Sequence, residues 1–552
     1  MPSTAPSAGG LTLLDHIVIG GYLLTMLAMG LLIARRQRST DDFFVGGRNL
    51  PSWAVGISIL ASIMSTITYL GTPGEMFRTG LAFLTRQIGV PLVLLVVWFL
   101  WIPFFMRLRL TSAYEYLERR FNYATRALAA IFCMLLLFGW MSVVVLTASR
   151  AMVEIAGLDI GTWLGESPLA ADADMYAIIL SVGLFSVMYT TLGGLRAVVW
   201  TDVVQFVTLI AGALFALGYI AWSTRSGLGD WLQTAGEYPY RESVEWYSFD
   251  IGNRSTVLFI SVGMAFWFAC THGANQVTLQ RYFSVKNIWA ARRSYLVSAL
   301  ASLGIGVLLA CVGLGLMHFM QTHEMPSSQA VYAAEQATRN TAQDAVFPEF
   351  IRLYLPSGLR GMVVAAMFAA AMSTIDSGAN SVSTIVTVDF FRPFARGDRS
   401  EAAELRVARV LTGTMGLIIV AMTVLLYHIS KGTDIITLCQ KGFNCFLGPL
   451  GALFVLGMFS RNATATTVIP AVLLGEVVGV STSYSEELFD FRFSTHLVVL
   501  TSWLTTIVTS LFLAVIFSSR ATAEQQRWMW RPVVRHDGGT QTDDSTHDLN
   551  DD

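Results

Sequence analysis

The sequence predicts an all-α polytopic membrane protein of about thirteen transmembrane helices, and three observations lead to that class. Of the 552 residues, 54% are hydrophobic and only 13% charged, and the mean hydropathy is +0.56. Apolar runs of about twenty residues, the length that crosses a bilayer as a helix, recur along the chain. Two of these runs are interrupted by polar and turn-forming residues, and their starts lie five spans apart, as expected of two inverted repeats. The formal net charge of -2 decides little, because what matters in a membrane protein is the side on which each charge lies.

Taken in order, the first span covers about 11 to 34. It follows a short polar lead and is flanked by Arg35, Arg36 and Arg38 without a small-residue cleavage pattern, so an uncleaved helix is expected. The second, about 51 to 73, has Ala61, Ser62, Ile63, Met64, Ser65 and Thr66 at its centre, followed by Thr68 and a Gly71-Thr72-Pro73-Gly74 breaker. That helix should be interrupted or end early. Spans three to six fall at about 82 to 106, 126 to 156, 174 to 195 and 197 to 222. The seventh, about 256 to 283, carries Thr271, His272, Gly273, Asn275 and Gln276 inside an otherwise apolar run. The eighth runs from about 290 to 320.

The ninth span, about 358 to 391, reads MVVAAMFAAAMSTIDSGANSVSTIVTVDFF from Met362 and holds Ser373, Thr374, Asp376, Ser377, Asn380 and Ser381 where lipid would want hydrocarbon. An ionisable group there costs roughly 2.5 to 3.5 kcal/mol, so Asp376 should face a protein interior, a wet cavity or an ion. Two readings stand for this helix: an oxygen-rich site for a hard monovalent cation, or hydroxyls that back-bond along a closely packed small-residue face. The remaining spans lie at about 403 to 427, 434 to 458, 463 to 483 and 495 to 518. The repeats would occupy about 51 to 222 and 256 to 483 of a single transmembrane domain, flanked by the helices at 11 to 34 and 495 to 518.

An odd number of spans puts the termini on opposite sides, and basic residues choose which. Arg35, Arg36, Arg38 and Arg48, then Arg107, Arg109, Arg119 and Arg120, and later Arg392, Arg396 and Arg399 follow odd-numbered spans, whereas Glu154, Asp159, Glu486 and Glu487 sit in the opposite connections. The expectation is an integral protein of the plasma or inner membrane with its N-terminus outside and its C-terminus in the cytoplasm. Two long outer connections, 223 to 255 and 321 to 357, would cover the outer mouth or bind a partner. The polar tail from about 521 to 552 reads as disordered. Cys133, Cys270, Cys311, Cys439 and Cys445 lie in apolar segments without CxxC spacing, which suggests neither a disulfide framework nor a zinc site.

Five motifs in order carry a family resemblance: DDFFVGGRNLPSW from Asp41, YTTLGGLRAVVWTDVVQ from Tyr189, NQVTLQRYF from Asn275, AAAMSTIDSGANS from Ala369 and GPLGALFVLGMFSR from Gly448. Together they resemble the sodium:solute symporter family, nearest in motif to its monocarboxylate, vitamin and iodide branch. The resemblance implies a five-plus-five inverted-repeat core with discontinuous helices and extra flanking helices. It implies Na+ as the coupling ion with no organic cofactor, and as partners a small-molecule substrate, sodium and the bilayer, with no nucleic acid. It puts the principal sodium site at Ala61, Met64, Ala370, Ser373 and Thr374, and a second sodium site or exit path at Asp202, Asp376 and Ser377. For Asp202 an interfacial position beside Arg196 is an equal reading. Substrate positions fall on Thr68, Gln87, Phe268, His272, Gln440 and Lys441; Phe268 and His272 stand where the branch usually has Trp and Tyr.

Charge adds an independent hint, because Arg86 and Lys441 lie within spans, where a bound carboxylate would compensate a cation. Snorkelling toward the interface is the favoured reading for Arg86, near its helix end, and Lys441 is the better counter-ion candidate. His272 could donate to an anion or pack as a hydrogen-bonding residue. The expected function is therefore sodium-coupled import of a small organic solute, a monocarboxylate or similar anion, by alternating access. A sugar or amino-acid symporter and a transport-inactive membrane sensor are the alternatives. An intramembrane enzyme is disfavoured, since the chain has no HExxH or GxSxG motif.

Overall fold

Pro51 and Ser52 open a helix that loses its ladder twelve residues later, and this early loss organises the molecule. In the computed structural model, which describes residues 10–35, 39–157, 160–164, 167, 170–238, 247–252, 256–323, 325, 336–394, 401–430 and 435–535, the described residues form helices and no strands. Eleven of the helices are long and apolar enough to cross a membrane, and two shorter apolar ones join them at Ser52–Ile63 and Phe443–Phe459.

After α1 (Leu13–Ala34) the first repeat begins with two collinear halves, α2 (Ser52–Ile63) and α3 (Thr66–Thr79). Between them Met64 and Ser65 are extended, and the Ser65 hydroxyl caps α3 by accepting from the Ile67 amide at 3.2 Å. The break thus comes earlier than the Gly-Pro-Gly stretch expected to cause it. Pro73 lies inside α3, which continues to Gly80, whose φ of 58° ends it. A 3₁₀ stretch, Gly80–Ile88, leads into α4 (89–108), wound as a π-turn at Val97–Trp101. Next come α5 (Tyr123–Ala156) and α6 (Ala173–Thr224), the latter joining the fifth and sixth expected spans across a kink at Gly194 (φ 52°).

The second repeat opens the same way. α7 (Val257–Ala274) and α8 (Gln276–Phe283) meet at an extended Asn275, whose side chain caps α8 through the Val277 amide at 2.9 Å. Then follow α9 (Ile288–Thr322), α10 (Leu359–Phe394), α11 (Glu401–Ile429), α12 (Ile435–Phe459), α13 (Ala465–Ser483) and α14 (Val498–Ile516). Burial separates the core from the rim: the most apolar stretch of α10 is 89% buried against 11% for α1. α10 is therefore the axis, packed among α1, α2, α5, α6 and α11.

The connections add two findings. The helix Gln336–Leu353 lies over α3, where Gln343 donates to the Phe77 carbonyl at 3.4 Å and Phe347 packs on Tyr69. The tail departs from the expected disorder: Ala523–Arg527 and Trp530–Arg535 are helical, and Trp530 Nε1 donates to the Leu100 carbonyl at 3.0 Å. Two tryptophans give this polar segment enough apolar surface to dock, with Arg119 5.0 Å over the Trp528 ring. Residues 536–552 lie outside the described set.

Candidate ion and substrate site

Breaking the helix at Met64 takes backbone groups out of the α-helical ladder. The Thr68 amide donates to Ser65 O at 3.0 Å rather than to Met64 O, which frees a carbonyl beside α10. On α10, Ser373 Oγ is 2.9 Å from Ala61 O and 3.2 Å from Ala370 O, and Thr374 Oγ1 is 3.4 Å from Ala370 O. Thr66 ties the other side of the break to the same helix, donating to Met367 O at 3.4 Å. Ala61, Ala370, Ser373 and Thr374 thus share one buried cluster of oxygens, while Met64 lies at the helix break three residues on from Ala61. Neutral carbonyl and hydroxyl oxygens of this kind suit a weakly held hard cation.

On the α2 side of the break lies a second buried cluster, centred on a residue that sequence reasoning did not single out. Arg281 of α8 donates to Asp202 Oδ2 at 3.2 Å, to Ser58 Oγ at 2.8 Å, to Ser377 Oγ at 2.5 Å and to Val277 O at 2.8 Å. Ser58 also donates to Asp202, and Ser62 lies 2.8 Å from Ser377. Asp202 and Ser377 are therefore brought together, and the partner of Asp202 is Arg281 rather than Arg196. Asp376 turns to another neighbour, accepting from Thr190 at 2.5 Å. An arginine inside the NQVTLQRYF run was the available signal; which carboxylate it meets depends on how α6 and α8 pack.

Beyond the break a cavity of about 990 Å³, including its open mouth, is lined by Met64, Thr68, Arg86, Gln87, Phe268 and Asn444 among others. Met64, at the break, thus borders the cavity. Asn444 accepts from Trp267 Nε1 at 3.0 Å, which fixes two of the walls. Arg86 stands 4.8 Å over the Phe83 ring, and no ion pair is found for it among the described residues.

The other expected substrate residues lie elsewhere. Lys441 does not line the cavity; it pairs with Glu487 beyond the end of α13 and lies 5.6 Å over the Tyr484 ring. Partial burial would raise the Glu487 carboxyl, but its hydrogen bond to Lys441 outweighs this and holds it below its ordinary value. His272 is buried, bonded through Nδ1 to Tyr282 OH at 2.8 Å and set edge-on to Tyr295, so it packs rather than facing the cavity. Gln440 lies on α12 with its side chain outside the described set. Arg86, at a helix turn folded inward, lines the cavity, while Lys441 pairs with an acid at the rim.

Comparison with known proteins gives a consistent picture. The model of the sodium:solute symporter family matches residues 43–475. The sodium/sialic acid symporter NanT of Aliivibrio fischeri is 31% identical over 478 residues, covering 85% of this chain and 86% of that protein. Sodium-coupled monocarboxylate transporter 1 of Xenopus laevis is 28% identical over 497 residues, covering 88% and 74%. A solved substrate-bound, outward-open Na+-coupled sialic acid symporter has the same fold, with a TM-score of 0.79 at 24% identity, covering 93% of this chain and 99% of that one.

Proposed function

The chain belongs to the sodium:solute symporter family, and from that premise we propose that this sodium-coupled membrane symporter carries a small organic carboxylate by alternating access. The observation that carries the proposal is Arg86, a cation on the cavity wall with no acid paired to it among the described residues. A cation in that setting is stabilised by an anionic solute, and a guanidinium suits the two oxygens of a carboxylate. Gln87, Thr68 and Asn444 offer neutral hydrogen bonds, and Phe83, Trp267 and Phe268 offer apolar surface, the usual composition of a small-molecule site. Two of the similar proteins are named for a sugar acid and for monocarboxylates, which supports the same class.

Sodium enters this reading at Ala61, Met64, Ala370, Ser373 and Thr374. An ion there would replace the Ser373 hydrogen bond to Ala61 as the tie between α2 and α10. Because Met64 belongs to both sites, ordering the break for sodium orders one wall of the cavity. Substrate and sodium must then strengthen each other's binding by the same factor. Release on the other side requires the cluster of Arg281, Asp202, Ser58 and Ser377 to part, with Asp202 available to the departing ion. By the distribution of basic residues the N-terminus lies outside and the cavity opens outward.

The test is uptake into proteoliposomes of labelled carboxylates, sugars and amino acids, with and without a sodium gradient. Accumulation of a carboxylate only under the gradient is expected. Accumulation of a neutral sugar with which no carboxylate competes would overturn the substrate reading.

A further inference from the structure

Glu476 is the only titratable residue of α13 and sits near the middle of that 19-residue helix. Both of its carboxyl oxygens are buried without a nitrogen or oxygen partner among the described residues, and the Cys445 thiol lies beside them. The helix is pressed against its neighbours on either side of the glutamate. A Cβ added at Gly475 would stand 2.0 Å from Thr506 Oγ1 of α14, and one at Gly479 would stand 3.1 Å from the Cys445 carbonyl of α12.

Among the described residues, none of the packed elements offers a compensating cation. α14 has no titratable side chain. α12 presents the Cys445 thiol beside the carboxyl, while Cys439 lines the cavity and Lys441 is held by Glu487. On α5, Arg126 is bound by Asp389 and Glu118, Arg150 by Ser430, and Glu154 by Arg352; Tyr123 donates to the Asp389 carbonyl, and Cys133 is buried. Tyr484, at the end of α13, faces Lys441. An ionised carboxylate left unpaired in such an interface would cost several kcal/mol, and taking up a proton removes that cost.

We propose that Glu476 is a proton-binding site within the membrane domain and that losing its proton loosens α13 from α12 and slows transport. The link to transport is short, because Cys445 follows Asn444, which lines the cavity and holds Trp267. This link rests on the transport reading above; the proton site itself does not. The protonated form matches the packed interface and the ionised form does not, so uptake falls as pH rises through the Glu476 transition.

Two measurements test this. The purified protein is treated without substrate with a hydrophobic carbodiimide, which modifies protonated carboxyls in apolar surroundings, and the adduct is located by peptide mass spectrometry. Label on Glu476 near neutral pH is expected, falling roughly tenfold per pH unit once ionisation sets in. In parallel, E476Q, which keeps the neutral shape, should retain uptake at alkaline pH where the unmodified protein loses it. Absence of label on Glu476 at every pH removes the proton site, and parallel pH profiles for the two proteins remove its control of transport. If no solute is taken up at all, the transport reading fails, while the labelling still decides the proton site.

Discussion

Ser373 and Thr374 show what a single side chain can contribute. They are hydroxyls on a buried helix, within hydrogen-bond reach of carbonyls on α2 and on their own helix. Replacing both by alanine removes two of the five proposed sodium oxygens. The sodium concentration for half-maximal uptake should rise roughly tenfold or more, a loss of at least about 1.4 kcal/mol, while the protein still inserts into the membrane. Uptake that saturates at the same sodium concentration would remove these residues from the site. A contrast between the two cations tests the substrate. Arg86→Gln should raise the KM for a carboxylate about 10- to 100-fold, in line with the ~1.5–3 kcal/mol of a charged hydrogen bond. Lys441→Gln breaks a rim pair worth about 0–1 kcal/mol and should leave that KM unchanged; the reverse pattern would restore Lys441 as the counter-ion. The sequence showed both cations, but whether a side chain turns inward or finds an acid at the rim depends on neighbours far away in the chain.

Helices and their ends carry the next level. Asp15 of α1 accepts from the Gly358 and Gly361 amides at 2.8 Å each, so it caps the first turn of α10 from another element. Asp15→Ala strands those amides and should cost about 0.5–2 kcal/mol, as loss of a cap does, read as a lower melting temperature; an unchanged melt would show that the cap carries no stability. Close approach of α9 to the cavity gives a second test. A Cβ at Gly306 would stand 1.8 Å from Gln87 Nε2, so Gly306→Ala must push Gln87 off the cavity wall, whereas a Cβ at Gly304 meets nothing within 4 Å. Gly306→Ala should raise substrate KM about 5- to 30-fold, the value of one or two hydrogen bonds, and Gly304→Ala should not. Equal effects of the two would exclude Gln87 from binding. The existence of both helix breaks was legible in the polar residues that interrupt apolar runs. The position of the first was not, because the Ser65 cap starts α3 directly after the extended Met64, while the buried setting of α3 tolerated Pro73.

At the scale of the whole molecule, the broken first helix carries Ala61 of the oxygen cluster, Ser58 of the Arg281 cluster and Met64 of the cavity wall, while α8 after the second break supplies Arg281. The proposed orientation puts the termini on opposite sides. An epitope at the N-terminus should be reached by antibody on intact cells and one at the C-terminus only after permeabilisation; the opposite pattern would invert the proposed direction of the cavity. The class, the run of helices, the interrupted pair and the hydroxyl-rich axis follow from composition and order, because the cost of exposing polar backbone to lipid leaves so few arrangements open. What the tertiary structure alone decided is partnership: Arg281 with Asp202, Asp15 with the start of α10, Lys441 with Glu487, Arg86 with the cavity and Glu476 with no cation among the described residues. Each of these depends on which faces of distant helices meet, and in a medium that punishes an unpaired charge, the packing that supplies or withholds a partner determines what the charge does.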